Sequence, residues 1–92
     1  MLERVKLALR MKTDAFDTEI TDLIDAAQAD LKIAGISMID EQDPLLIRAV
    51  ITYCRANFGQ PDDYDRLKAS YDEQKAQLQT ATGYTDWGND NG

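Results

Sequence analysis

The chain has 92 residues, of which ten are basic and 17 acidic, so its net charge is −7. This length suits one small domain, and a hydrophobic content of 43% argues against wholesale disorder. The acidic balance argues against a protein that binds free nucleic acid, because Lys and Arg supply most of that affinity. Histidine is absent, which removes the commonest general base and the commonest metal ligand.

The remaining side chains do not assemble a recognisable catalytic, cofactor or metal motif. The sequence contains no glycine-rich phosphate loop, and no Ser or Cys lies beside a plausible base. Short carboxylate clusters occur at Asp22 with Asp25, at 40–43 and at 62–65, but none has the spacing of a calcium loop. We therefore predict no enzymatic activity, no cofactor and no metal.

A lone cysteine and the lack of long apolar runs indicate the cellular setting. Cys54 lies in an apolar segment and is predicted to be a buried small hydrophobe rather than a reactive thiol. No signal peptide or membrane-spanning run is recognisable. We expect synthesis in the cytoplasm and no membrane association.

The first predicted element is a short helix over residues 2–11. Leu2, Val5 and Leu9 share one face at helical spacing, although the alternation from Val5 to Arg10 is also compatible with a strand. A polar turn follows, and its Asp14 and Asp17 are candidate helix caps.

Residues 16–34 form the clearest amphipathic pattern. Apolar residues recur at three- and four-residue intervals, at Ile20, Leu23, Ile24, Ala27 and Leu31. Gly35 is a typical stop signal, because glycine readily adopts the left-handed conformation that ends a helix. In the loop 36–42, we expect Ile36, Met38 and Ile39 to pack under the helices.

Residues 43–59 are predicted to be the central helix. Asp43 is a suitable cap, Pro44 fits the first helical position, and Gly59 can close the helix. Its body is apolar nearly all round, which predicts a helix surrounded by others. The exception is a narrow stripe of Arg48, Thr52 and Arg55. The two arginines either pair with the acidic last helix or with solvent, or contact a neighbouring subunit.

A last helix is predicted over 63–80, capped by Asp62 or Asp63, with one face formed by Tyr64, Leu67, Tyr71 and Leu78. The tail, 81–92, contains three glycines and no helical period, yet it carries Tyr84 and Trp87. These aromatics either dock on a partner or dock back on the domain. The predicted fold is thus all-α, a small bundle of about four helices over residues 1–80 with an extended and flexible C-terminal tail.

Several segments, in this order along nearly the whole chain, resemble the small helical head–tail connector (adaptor) proteins of long-tailed phages and prophages. They are VKLALR at 5–10, LIDAAQADL at 23–31, Asp43-Pro44 with AVITYCRANFG at 49–59, LKASY at 67–71, and TGYTDW at 82–87. Each segment alone is unspecific, and their ordered succession carries the resemblance.

The resemblance implies a structural virion protein at the neck, made in the bacterial cytoplasm. Such subunits form a twelve-fold ring beneath the portal protein, extend its DNA channel without reading DNA sequence, and present a surface to a tail-completion or stopper protein. We expect a basic edge of Arg4, Lys6 and Arg10 to meet the acidic last third of a neighbour, and Tyr84 and Trp87 to dock on the portal. The alternative is a small acidic regulator or inhibitor that binds a basic partner.

Overall fold

The computed structural model describes residues 1–37, 40 and 42–80. These residues form four helices, α1 (Leu2–Ala8), α2 (Asp17–Ile33), α3 (Pro44–Asn57) and α4 (Tyr64–Thr80). The all-α prediction is confirmed. The predictions for Met38, Ile39 and the tail with Tyr84 and Trp87 lie outside the described residues. No helix in the described part of the chain is long and apolar enough to cross a membrane.

Helix α3 is the centre of the bundle, as its apolar circumference predicts. It packs against each of the other three helices, and half of its 14 residues are buried. Asp43 caps it by accepting hydrogen bonds from the backbone N–H groups of Leu45 at 2.8 Å and Leu46 at 3.4 Å. Pro44 occupies the first turn, where its missing N–H costs nothing. The chain leaves the helix at the extended Phe58, and Gly59 then adopts a φ of 68°.

Helix α2 buries the predicted stripe and ends at the predicted glycine. Ile20, Ile24, Ala27 and Leu31 are buried. Gly35 has a φ of 93°, and the next N–H, that of Ile36, donates to the carbonyl of Leu31 at 3.0 Å. This hydrogen bond closes a Schellman motif. Ile36 and Leu31 are both fully buried, so the motif fixes the loop residue into the core as expected.

Helix α1 is shorter than the predicted 2–11, because the backbone turns at Arg10. Arg10 adopts a left-handed φ of 57°, and the following N–H, that of Met11, donates to the carbonyl of Lys6 at 2.8 Å. A helix rather than the alternative strand forms here. Val5 is fully buried, while Leu2 and Leu9 are half-buried against the core.

The predicted caps of α2 have a different role. The residue before the helix, Phe16, has no side-chain capping bond. Instead Asp14 and Asp17 bind the amino group of Lys6, at 2.7 and 2.8 Å. Lys6 is only 7% exposed, and the hydrogen bonds from its amino group hold the pKa of the Asp14 carboxyl below its usual 3.8. This ion pair ties α1 to the start of α2.

Helix α4 has a buried face that is rotated slightly from the predicted one. Leu67, Tyr71 and Leu78 are buried as expected. Tyr64 is 40% exposed, however, and Gln74, which was not predicted to be buried, lies in the core-facing side of the helix. Gln74 lies three residues after Tyr71 and four before Leu78, so it belongs to the same helical face. Sequence analysis passed over it because the side chain is polar.

Candidate interaction site

A groove of about 540 Å³ runs between α1, α3 and α4, and four arginines line it. They are Arg4 from α1, Arg48 and Arg55 from α3, and Arg66 from α4. We refer to these four residues and the space between them as the arginine groove. No carboxylate is among its lining residues in the described part of the chain. This concentrated positive surface contrasts with the net charge of −7 of the chain.

The helical period explains part of this convergence. Arg48 and Arg55 are seven residues apart, which is about two turns and about 10.5 Å along the helix axis, so they share a face. Thr52 lies between them, and its hydroxyl donates back to the carbonyl of Arg48 at 2.9 Å. The predicted polar stripe of α3 is therefore present, and it forms one wall of the groove.

Three of the four arginines have no ion-pair partner among the described residues: Arg4, Arg48 and Arg55. All three are exposed. Among the described residues, Arg48 and Arg55 form no ion pair with the last helix, so exposure to solvent and contact with a neighbouring subunit remain as the interpretations. Arg66 differs, because its guanidinium binds Asp63 at the start of the same helix.

The groove floor is partly apolar, with Ile47, Ile51 and Leu67 among its lining residues. Gln74 also lines it, and its buried Oε1 has no hydrogen-bond donor among the described residues. A groove with an apolar floor and guanidinium groups suits a partner surface that carries carboxylates, since Arg binds them with two parallel hydrogen bonds.

The predicted subunit contacts do not all gather at one place. Arg4, Arg48 and Arg55 line the arginine groove, while Lys6 and Arg10 do not. The amino group of Lys6 is held within the chain, and Arg10 is exposed in the turn after α1. Arg66 also lines the groove, and no local pattern in the sequence links it to the arginines of α3, because it lies on a different helix.

A second cavity, of about 260 Å³, is lined by a hydrogen-bonded cluster of Asp30, Tyr71 and Lys75 among other residues. Asp30 of α2 accepts hydrogen bonds from the Tyr71 hydroxyl at 2.6 Å and the Lys75 amino group at 3.2 Å. Burial works against ionisation of Asp30, but these two donors outweigh it and hold the pKa of the carboxyl below its usual value. The cluster joins α2 to α4 and is best explained as a structural tie.

Cys54 lies in the core and is fully buried, as predicted. Burial in this apolar setting raises the pKa of its thiol to about 12. The thiolate, which is the reactive form, is therefore scarce at neutral pH.

We expect Tyr71→Phe to lower the free energy of unfolding by about 1 kcal/mol at pH 7, because Asp30 loses a charge-assisted donor in a partly exposed site. Because the pKa of Asp30 is lower in the folded state than its ordinary 3.8, its ionised form stabilises the fold above pH 3.8. This contribution is lost as the pH falls through the pKa of Asp30 in the folded state. The loss in free energy of unfolding caused by Tyr71→Phe should therefore be smaller in urea titrations at pH 3.

Tyr53→Phe is the matched control, because the Tyr53 ring contacts Tyr71 but its hydroxyl binds no described group. Equal losses in both variants would contradict the assignment.

The fold and the groove together define a small all-α interaction module. Its described surface presents a basic groove, in which three of the four arginines form no ion pair, on an otherwise acidic domain.

The model of one protein family, described as phage connector protein, matches residues 1–85. The chain belongs to this family, which confirms the resemblance found in the sequence. Its role is that of a phage connector, and the family is a structural rather than an enzymatic one. No curated protein and no solved structure matches the chain.

Proposed function

We propose that the chain is a head–tail connector subunit that assembles into a twelve-fold ring beneath the portal protein. The ring extends the DNA channel at the virion neck and presents the surface to which a tail-completion or stopper protein attaches. Membership of the phage connector family supports this proposal. The observation that carries the assembly step is the arginine groove, whose three unpaired guanidinium groups call for an acidic partner.

Assembly in a ring suits a chain with separate basic and acidic surfaces. In a closed ring each subunit uses one surface toward one neighbour and a different surface toward the other. Arg4, Arg48 and Arg55 provide the basic surface. We propose that they, rather than Lys6, form the subunit contact, because Lys6 already binds Asp14 and Asp17. DNA passes through the ring without sequence recognition, and acidic subunits do not retain its phosphate backbone.

The test is native mass spectrometry of the full chain, alone and with purified portal rings. We expect high-order cyclic assemblies, either free or bound to the portal with up to about twelve copies, the symmetry that the proposal assigns. A protein that remains a monomer or dimer and does not bind the portal would contradict the proposal. It would favour the alternative of a small acidic inhibitor.

A further inference from the structure

Three acidic residues on the outer side of α2 match the unpaired arginines of the groove in charge and in spacing. Glu19, Asp22 and Asp25 are all exposed. Among the described residues, none of the three forms an ion pair. We call these three residues the α2 acidic row. Their carboxylates therefore remain free to bind a second molecule.

The row and the groove lie on different parts of the molecule. The described residues that line the groove come from α1, α3, α4 and the segment just before α3, and none comes from α2. The buried side of α2 faces α1 and α3, so its acidic row points outward. One copy therefore cannot fill its own groove with this row, but two copies can meet groove to row. Such a contact is heterologous, as a ring requires.

The length of the α2 acidic row is similar to the separation of Arg48 and Arg55 along α3. Residues 19, 22 and 25 follow the three-residue ridge of a helix and span about 9 Å along its axis, against about 10.5 Å between Arg48 and Arg55. The next turn of α2 carries Ala26 and Ala29, whose short side chains allow a close approach. Packing a helix ridge into a groove between helices is the usual geometry of helix association.

The helices that carry the row and Arg4 each also have one strongly exposed aliphatic side chain. Ile33, at the end of α2, is 85% exposed. Leu7 is 78% exposed and lies one turn after Arg4 on α1, although it is not among the residues that line the groove. Large exposed aliphatic groups next to complementary charges are typical of an interface rather than of a free surface.

The competing acidic surface is on α4, where Asp65 and Glu73 are exposed and form no ion pair among the described residues, while its other acidic groups are engaged. Asp72 binds Lys68 at 3.2 Å, and Asp63 binds Arg66. Moreover, α4 itself forms one wall of the groove, so its outer face is less well placed to enter the groove of the next copy. We propose that the arginine groove of one copy receives the α2 acidic row of the next, with carboxylates on Arg48 and Arg55. This inference rests on the proposed ring assembly and names its subunit interface.

The test uses two charge-reversed forms of the full chain. The groove variant carries Arg48→Glu and Arg55→Glu, and the row variant carries Asp22→Lys and Asp25→Lys. Each alone should self-associate at least about a hundred-fold more weakly, because like charges now face each other across the contact. An equimolar mixture should assemble again, because alternating copies pair the normal groove with the normal row and the reversed groove with the reversed row. Sedimentation velocity and native mass spectrometry, with and without portal rings, measure this.

Controls separate the interface from general charge effects. Asp65→Lys with Glu73→Lys reverses two exposed carboxylates of α4, and Lys12→Glu reverses an exposed cation outside the groove. Both controls should assemble like the wild type. Thermal melts show whether each variant is folded, since all the altered side chains are exposed.

The outcomes are distinct. Assembly of either reversed variant alone, or failure of the folded mixture to assemble, would overturn this interface but leave the proposed ring intact. Loss of assembly in the α4 control, with a normal row variant, would instead assign the contact to the acidic last helix. If the wild type neither assembles nor binds the portal, the proposed function itself fails, and the interface fails with it.

Discussion

Val50→Asp is expected to unfold the domain. Val50 lies in the middle of α3 and is 1% exposed, so the new carboxylate would be buried without a partner. Such a charge costs several kcal/mol, against a total stability of roughly 5–10 kcal/mol for a domain of this size. Circular dichroism should therefore show an unfolded protein at about 25 °C and no cooperative thermal transition on heating.

Leu45→Asp is the matched control for Val50→Asp, because it adds the same charge to the same helix. Leu45 is 47% exposed in the first turn of α3, where a carboxylate interacts favourably with the helix dipole. This variant should melt close to the wild type. A near-normal melt for Val50→Asp would contradict the central position of α3, and equal damage in both variants would trace the effect to added charge alone.

The second large effect is expected for the C-terminal tail, which lies outside the described residues. A chain that ends at Ala81 and a full-length Trp87→Ala variant should both lose binding to the portal or to the tail-completion protein. An indole buried on a partner is among the larger single contributions that an interface contains. Binding should weaken by at least about thirty-fold, which corresponds to a loss of about 2 kcal/mol.

Folding should be unaffected by both tail changes. Helix α4 ends at Thr80, and its buried residues, of which Leu78 is the last, all precede the truncation point. Both variants should therefore keep the wild-type melting temperature within a few degrees, and Tyr84→Ala should behave similarly with a smaller loss of binding. A truncated chain whose melt collapses would show that the tail belongs to the core, and the self-docking interpretation would then hold.

The family could be predicted from the sequence because the order of the helical segments and of the residues that end them carries the resemblance. Only part of the candidate site could be predicted from the sequence. Arg48 and Arg55 were singled out by their spacing on α3, but nothing local linked them to Arg4, 44 positions earlier, or to Arg66 on a helix read as acidic. A lysine is rarely buried unless it is paired, and the sequence does not show that Asp14 and Asp17 pair with Lys6.

The sequence by itself determined the four helices, their order and most of their ends. Asp43 with Pro44 begins α3, Gly35 ends α2, and the apolar period of α2 selects its buried face. These signals act over a few residues, through backbone conformation and local hydrogen bonds, so they can be read without the fold.

Only the tertiary structure decided which charges are paired and which are free. The Lys6 ion pair, the bond from Tyr71 to Asp30, and the arginine groove each join residues from different helices. Whether such groups meet depends on how the helices are rotated and packed against one another, and that depends on the whole core at once. The rotation of α4 is one example, because it buries Gln74 while Tyr64 stays exposed, and Gln74 thereby becomes one of the residues that line the groove.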